Sequence, residues 1–185
     1  MNTLKTTPYK RFKLEFWHDE YSESPRNWDN IGKLICFHKH YDISDKHDFY
    51  SVDDLKDFMR ESEHEIIWLP VYAFEHGNIT LNTAPYSCRW DSYQVGVIYA
   101  YKSDMISSGI TSEEEMYKTL NREVKIFDGY LQGNVYGFSI FDDSDELLES
   151  CGGFIDDMAY CESEAKSTAD YFDNKLPKQY ELNFA

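Results

Sequence analysis

Glu65–Thr83 reads EIIWLPVYAFEHGNITLNT, and this stretch decides the fold class. Glu65–Glu75 is a strongly apolar run of strand-forming residues, interrupted at Pro70, which suggests a sheet edge or a bulge. Gly77-Asn78 signals a hairpin turn, and Ile79–Thr83 reads as the returning strand. A strand that folds directly back on itself pairs antiparallel, without the crossover helix that a parallel pair needs.

Working outward, Lys10–Trp17 alternates polar and apolar residues, with Phe12, Leu14 and Phe16 on one face, and predicts a strand. His18–Asn30 holds Pro, Ser, Asn and Asp and predicts a loop. Lys33–Tyr41 predicts a second strand. Ser51 caps a helix in which Val52, Leu55, Phe58 and Met59 share a face. Tyr93–Tyr101 predicts another strand, with Gly96 inside it. Thr111 and Ser112 before Glu113, Glu114 and Glu115 form a capping box for the longest helix. Met116, Leu120, Val124, Phe127 and Leu131 make its apolar stripe, and Gly133 marks its end. Val135–Phe141 and Leu147–Phe154 predict a strand pair joined by Asp142-Asp143-Ser144-Asp145. Asp157–Asn174 predicts a last helix, with Ala165, Ala169 and Phe172 inward. The order ββαβββαββα groups strands that pair locally, so the expected fold is a single α+β domain over residues 1–185, largely antiparallel, with about three helices. Residues 1–9 and 176–185 are expected to be flexible ends.

Charge bounds the function. The chain carries 34 Asp+Glu against 18 Lys+Arg, a net of -16 over 185 residues, spread from Asp19 to Glu181. Such a chain repels nucleic acid and suits partners with basic surfaces. The aromatic share of 17 % separates it from a disordered acidic tail. The start, MNTLKTTPYKRFKLEFW, has no apolar leader-like segment, and no run reaches the roughly 18 apolar residues of a membrane span, so the expected location is cytosolic. In that compartment Cys36, Cys88, Cys151 and Cys161 are expected to be reduced thiols.

Candidate site residues fall into three groups. Carboxylates that could imitate phosphates are Asp53, Asp54, Asp57, Glu61, Glu63 and Glu65 around the first helix, Asp142, Asp143, Asp145 and Glu146 in a hairpin turn, and Asp156, Asp157, Glu162 and Glu164 on the last helix. Candidate recognition anchors are Arg26, Trp28, Arg89 and Trp90, since Arg and Trp dominate binding hot spots. A metal-dependent or thiol-dependent enzyme would draw on Cys36, His38, His47 and His76, with Cys36-x-His38-x-His40 on one strand face. The spacing is not that of a known zinc site, a fourth ligand is missing, and nothing beyond Arg89 marks Cys88 as an activated nucleophile. No catalytic residue, metal or cofactor is therefore expected.

Three blocks carry a resemblance: Ser24-Pro25-Arg26-x-Trp28-Asp29-Asn30-x-Gly32, Cys88-Arg89-Trp90-Asp91-Ser92-x-Gln94-Val95-Gly96-x-Ile98-Tyr99, and Tyr130-Leu131-x-Gly133-x-Val135-Tyr136-Gly137-Phe138. Together they resemble a family of small acidic proteins of phages and integrated mobile elements, mainly of Gram-positive bacteria, over roughly Trp17 to Phe154. Lys39 and His40 stand where that family has two arginines. The resemblance implies an accessory protein of a mobile element, a class that includes anti-CRISPR and antirestriction proteins. The expected function is inhibition of a host nucleic-acid-processing protein in the bacterial cytoplasm, a CRISPR effector nuclease being the leading candidate. An acidic, DNA-mimicking surface would cover the partner's basic site, without tight DNA binding or membrane association. The alternatives are the small enzyme above and a non-enzymatic adaptor of the mobile element.

Overall fold

Hairpins from the two ends of the chain meet in one sheet. The computed structural model describes residues 3–87 and 92–175. β1 (Thr3–Tyr9) and β2 (Phe12–His18) form the first hairpin, and β7 (Val135–Phe141) and β8 (Leu147–Ile155) the second. β2 pairs with β7 from Lys13↔Phe141 to His18↔Tyr136, giving an antiparallel sheet in the order β1-β2-β7-β8. The alternation in β2 is what makes this sheet two-sided. Phe12, Leu14 and Phe16 join Phe138 and Ile140 in a core closed by Cys161, Ala165 and Ala169 of α4 (Met158–Lys175). Small residues at those helix positions let α4 lie close against the sheet.

The strand β1 lies where a flexible end was expected. Its sequence, TLKTTPY, has no apolar stripe to announce it, and its side chains are mostly exposed. Backbone pairing to β2 holds it, together with contacts to α4: Lys5 pairs with Glu162 at 2.8 Å, and the Tyr9 hydroxyl donates to Asp170 at 3.0 Å.

Residues Ser24–Gln132 form a second compact unit. It contains β3 (Lys33–Cys36), α1 (Val52–Glu61), β4 (Ile66–His76), β5 (Asn78–Asn82), β6 (Ser92–Tyr101), α2 (Lys102–Ser107) and α3 (Glu113–Leu131). Its sheet runs β3-β6-β4-β5, antiparallel throughout. Met116, Leu120, Val124 and Phe127 of α3 pack on one face, against Leu34, Ile67, Val71, Ile79, Leu81 and Ile98. Leu55 of α1, with Phe58 and Met59, packs against Ile35, Ile66, Val97 and Tyr99 on the other.

The fold is α+β, with four α-helices and two four-stranded antiparallel sheets among the described residues. The helix not expected, α2, is only six residues long and fully buries no side chain, so it carries no apolar period to reveal it. Pro70 lies in an interior strand, just before a bulge and where the β5 side is still unpaired. It pairs with Val97 on one side, while β5 reaches only Tyr72 on the other, and the register shifts between Val71 and Tyr72. Asp128 of α3 accepts the Leu81 N–H at 2.7 Å, and Gln132 donates to the Ile79 carbonyl at 2.6 Å. Helix side chains thus satisfy outward backbone groups of β5, which blunts that sheet edge. Both helix caps form as expected: Ser51 accepts from the Asp54 N–H, and Ser112 from the Glu115 N–H.

Candidate functional site

The loop before β3 is built around a buried arginine. Ser24 caps a short 3-10 turn at Pro25–Asn27, which aims Arg26 inward, and its side chain is only 8 % exposed. Nε and Nη2 donate to the two carboxylate oxygens of Asp45 at 2.9 and 2.6 Å. Nη2 also donates to the Gly32 carbonyl, and Nη1 to Glu123 of α3 at 3.2 Å. Glu123 in turn accepts the Ile31 and Gly32 N–H groups. Burial pushes its carboxyl above the ordinary range, against the opposing pull of the Gly32 N–H and Arg26. A Cβ at Gly32 would fall 2.7 Å from Leu120 Cδ2 and 2.8 Å from Glu123 Oε2, so a larger residue there would push the Glu123 carboxylate from its place. Arg26, expected as a recognition anchor, is here a buried part of the loop's frame. All its donor groups face its own chain, an arrangement that spacing alone could not reveal.

The frame holds Trp28 at the surface. Asn30 bonds back to the Pro25 and Trp28 carbonyls, and the indole is 47 % exposed. The other two proposed anchors, Arg89 and Trp90, lie outside the described residues, as does Cys88.

The expected strand Lys33–Tyr41 ends at Cys36, which is buried in the core, while the His38 and His40 rings stay in edge contact at 6.2 Å. The cause of the early end is His38, whose Nδ1 accepts the N–H groups of His40 and Tyr41 at 3.1 and 3.0 Å, curling the chain into a turn. With Nδ1 occupied as an acceptor, Nε2 carries the proton and donates to Glu75 at 3.1 Å. The Tyr93 hydroxyl donates to the same Glu75 oxygen. Those two bonds hold the Glu75 carboxyl below its usual range, Tyr93 contributing most. Neither His38 nitrogen keeps a free lone pair for a metal. Cys36 sits in the α3-side core, and burial raises its thiol pKa to about 12, far from a reactive thiolate. His47 accepts from the Phe49 N–H, and His76 stacks on Phe74 at the end of β4. Among the described residues no group of three or more His, Cys, Asp or Glu is placed to hold a metal ion.

The acidic candidates divide by what holds them. Asp54 accepts the Tyr50 N–H, Asp142 accepts the Ser144 and Glu146 N–H groups, and Asp157 accepts the Tyr160 N–H. These carboxylates shape the α1 start, the β7–β8 turn and the α4 start. Asp156 bonds Asn134, and Asp145 pairs with Lys13 at 2.5 Å. Asp53 and Asp57 pair with Lys56 and Arg60 on the exposed side of α1, and Asp143 and Glu146 are exposed at the turn. Asp53, Asp54 and Asp57 belong to the unit Ser24–Gln132, and the others to the unit formed by the two chain ends.

Sequence reasoning did not find a pocket of about 510 Å³ between α1 and β6. Phe37, Leu55, Val95 and Val97 line it, with Val52, Met59, Trp68 and Tyr93. It exists because α1 has ten residues and leaves part of the β4–β6 face bare. Trp68, opposite Tyr99 in the sheet, is exposed at the pocket's rim. No family model, curated protein or solved structure matches this chain.

Proposed function

We propose that this chain is a non-enzymatic inhibitor that covers the basic, nucleic-acid-binding surface of another protein with its own carboxylates. The partner class is a host defence nuclease, a CRISPR effector first among them. The observation that carries the reading is the internal neutralisation of the cations. Lys10 lies between Asp170 and Asp173 at 2.8 and 3.1 Å, Arg11 is 3.3 Å from Asp173, and Lys5, Lys13 and Arg26 have carboxylate partners within their own unit. The one basic cluster near the start of the chain is thus cancelled. The unit Ser24–Gln132 keeps 18 acidic against 11 basic residues, and the remainder of the chain 16 against 7. Both units present a negative field, which steers association with a basic surface and repels polyanions. Exposed Trp28 on its rigid loop supplies an apolar contact of the kind that anchors interfaces.

The test is a nuclease-inhibition or phage-protection assay. Two multiple variants, one neutralising Asp53, Asp54 and Asp57 and one neutralising Asp142, Asp143, Asp145 and Glu146, are compared with wild type across salt. The expected outcome is a modest loss from single neutralisations such as Asp143→Asn, a far larger loss from a combined change, and weakening as salt rises. Full activity in both folded multiple variants would refute the mimic. Loss caused by His38→Ala alone, with the fold intact, would return the enzyme reading.

A further inference from the structure

We infer that the pocket between α1 and β6 is a binding site for a small anionic amphiphile, an apolar chain that carries one carboxylate. The chain lies against Leu55, Met59, Trp68 and Val97, and the carboxylate meets the Lys56 ammonium. The site goes beyond the inhibitor reading, and neither depends on the other.

Helix periodicity places the lysine. Val52, Leu55, Lys56 and Met59 line the pocket and follow the i, i+3, i+4, i+7 spacing of one helical face. At about 100° per residue, Asp54, Asp57 and Glu61 fall on the opposite side of α1, and Asp53 on its flank. Among the described residues Lys56 is therefore the one charged group in the lining. Its side chain is 65 % exposed, as expected of a stem laid along apolar surface with its ammonium carried out to water. The walls set the rest of the ligand. At about 510 Å³ the pocket has the size of sites that enclose a small organic molecule, and apolar groups dominate it. Val52 and Trp68 stay exposed beside the cavity, so an apolar chain seated there would remove their surface from water.

Charge chooses among amphiphiles. Asp53 pairs with the Lys56 ammonium at 2.9 Å, but its own side chain is 88 % exposed. A pair so open to water contributes little, and the ammonium has three donors, of which Asp53 takes one. A second carboxylate can therefore share it. A cationic head would meet the ammonium with no carboxylate among the described lining residues to hold it. A neutral head would leave the ammonium unused. The net charge of -16 opposes the approach of every anion. Exposed charges beyond about 8–10 Å are screened near physiological salt, however, so the nearest cation decides the seat.

The experiment is calorimetric titration of the full chain with three probes of one chain length, decanoate, decanol and decylamine, each kept below the concentration at which it forms micelles. Decanoate should bind best, about fivefold tighter than decanol, the scale of one ion pair near the surface. Decylamine should bind worst. Lys56→Met keeps most of the stem and removes the charge, so it should erase the advantage of decanoate and leave decanol unchanged. Trp68→Ser should weaken all three probes about tenfold through lost apolar contact. Both residues are exposed, so the fold should persist, checked by circular dichroism. Decanoate should also change the tryptophan emission of wild type, and Trp68→Phe should remove that change. Equal binding of decanol and decanoate would overturn the inference, leaving an apolar cavity without anion recognition. So would unchanged decanoate affinity in Lys56→Met, an emission change that survives in Trp68→Phe, or no binding of decanoate at all. None of these results bears on nuclease inhibition, which its own assay decides.

Discussion

Arg26 and Asp45 form a two-point pair, Nε to Oδ1 at 2.9 Å and Nη2 to Oδ2 at 2.6 Å, that ties the loop before β3 to the loop after it. Asp45 also accepts the Leu34 N–H at 2.8 Å, so the pair fixes the start of β3 as well. Asp45→Ala would leave the guanidinium buried without its main partner. A loss of about 3–5 kcal/mol in urea melts is expected, the scale of a broken buried pair. Arg26→Lys should recover little of the wild-type stability, because an ammonium cannot make the parallel pair of bonds.

The α3 stripe supplies a second test of the frame. Leu120 is fully buried between Met116 and Val124 on the face that packs on the sheet. Leu120→Ala should cost about 2–5 kcal/mol through the cavity it leaves. A change below about 0.5 kcal/mol, the scale of a surface substitution, would contradict the packing described.

Acid should loosen the turn at His38 before it unfolds the sheets. Tyr93 and His38 hold the Glu75 carboxyl below its usual range, so their bonds favour the folded form above the ordinary carboxylate pKa of about 4.3. That contribution is lost as pH falls through the lowered folded value. Carboxyl NMR should report Glu75 titrating below a free glutamate, and Tyr93→Phe should move it back up. The protection of the His40 and Tyr41 amides, which donate to His38, measured against the intrinsic exchange rate at each pH, should fall over the same acid range. An unshifted Glu75 in wild type would show that the bonds do not persist in solution.

Bare duplex DNA should not bind tightly. Lys5, Lys10, Arg11 and Lys13 are each matched by carboxylates, and both units remain acidic. A mobility-shift titration should show no salt-sensitive, submicromolar complex. Such a complex would reveal a basic surface hidden by the net charge.

Much of the fold was legible because its signals are local. The Gly77-Asn78 hairpin, the Ser51 and Ser112 caps, and the stripe from Met116 to Phe127 depend on neighbours a few residues away, and each forms as its sequence predicts. What was missed lacked such a signal. β1 is held by backbone bonds and by charge pairs to a helix some 160 positions later, of which Lys5 with Glu162 is one. The strand after Lys33 stops early because a histidine ring nitrogen captures two N–H groups, a competition between side chain and ladder that residue propensities do not contain.

The candidate site divides in the same way. The sequence by itself determined that the protein is strongly acidic, aromatic-rich and α+β, because charge and periodicity are properties of the chain. Only the tertiary structure decided which charges remain available to a partner. It turned Arg26 inward, gave Asp54, Asp142 and Asp157 backbone N–H groups to hold, matched Lys10 to Asp170 and Asp173, and left Trp68 uncovered beside a short helix. The physical reason is that a side chain's availability depends on what packs against it. Those neighbours come from distant parts of the chain, brought together only by the sheets.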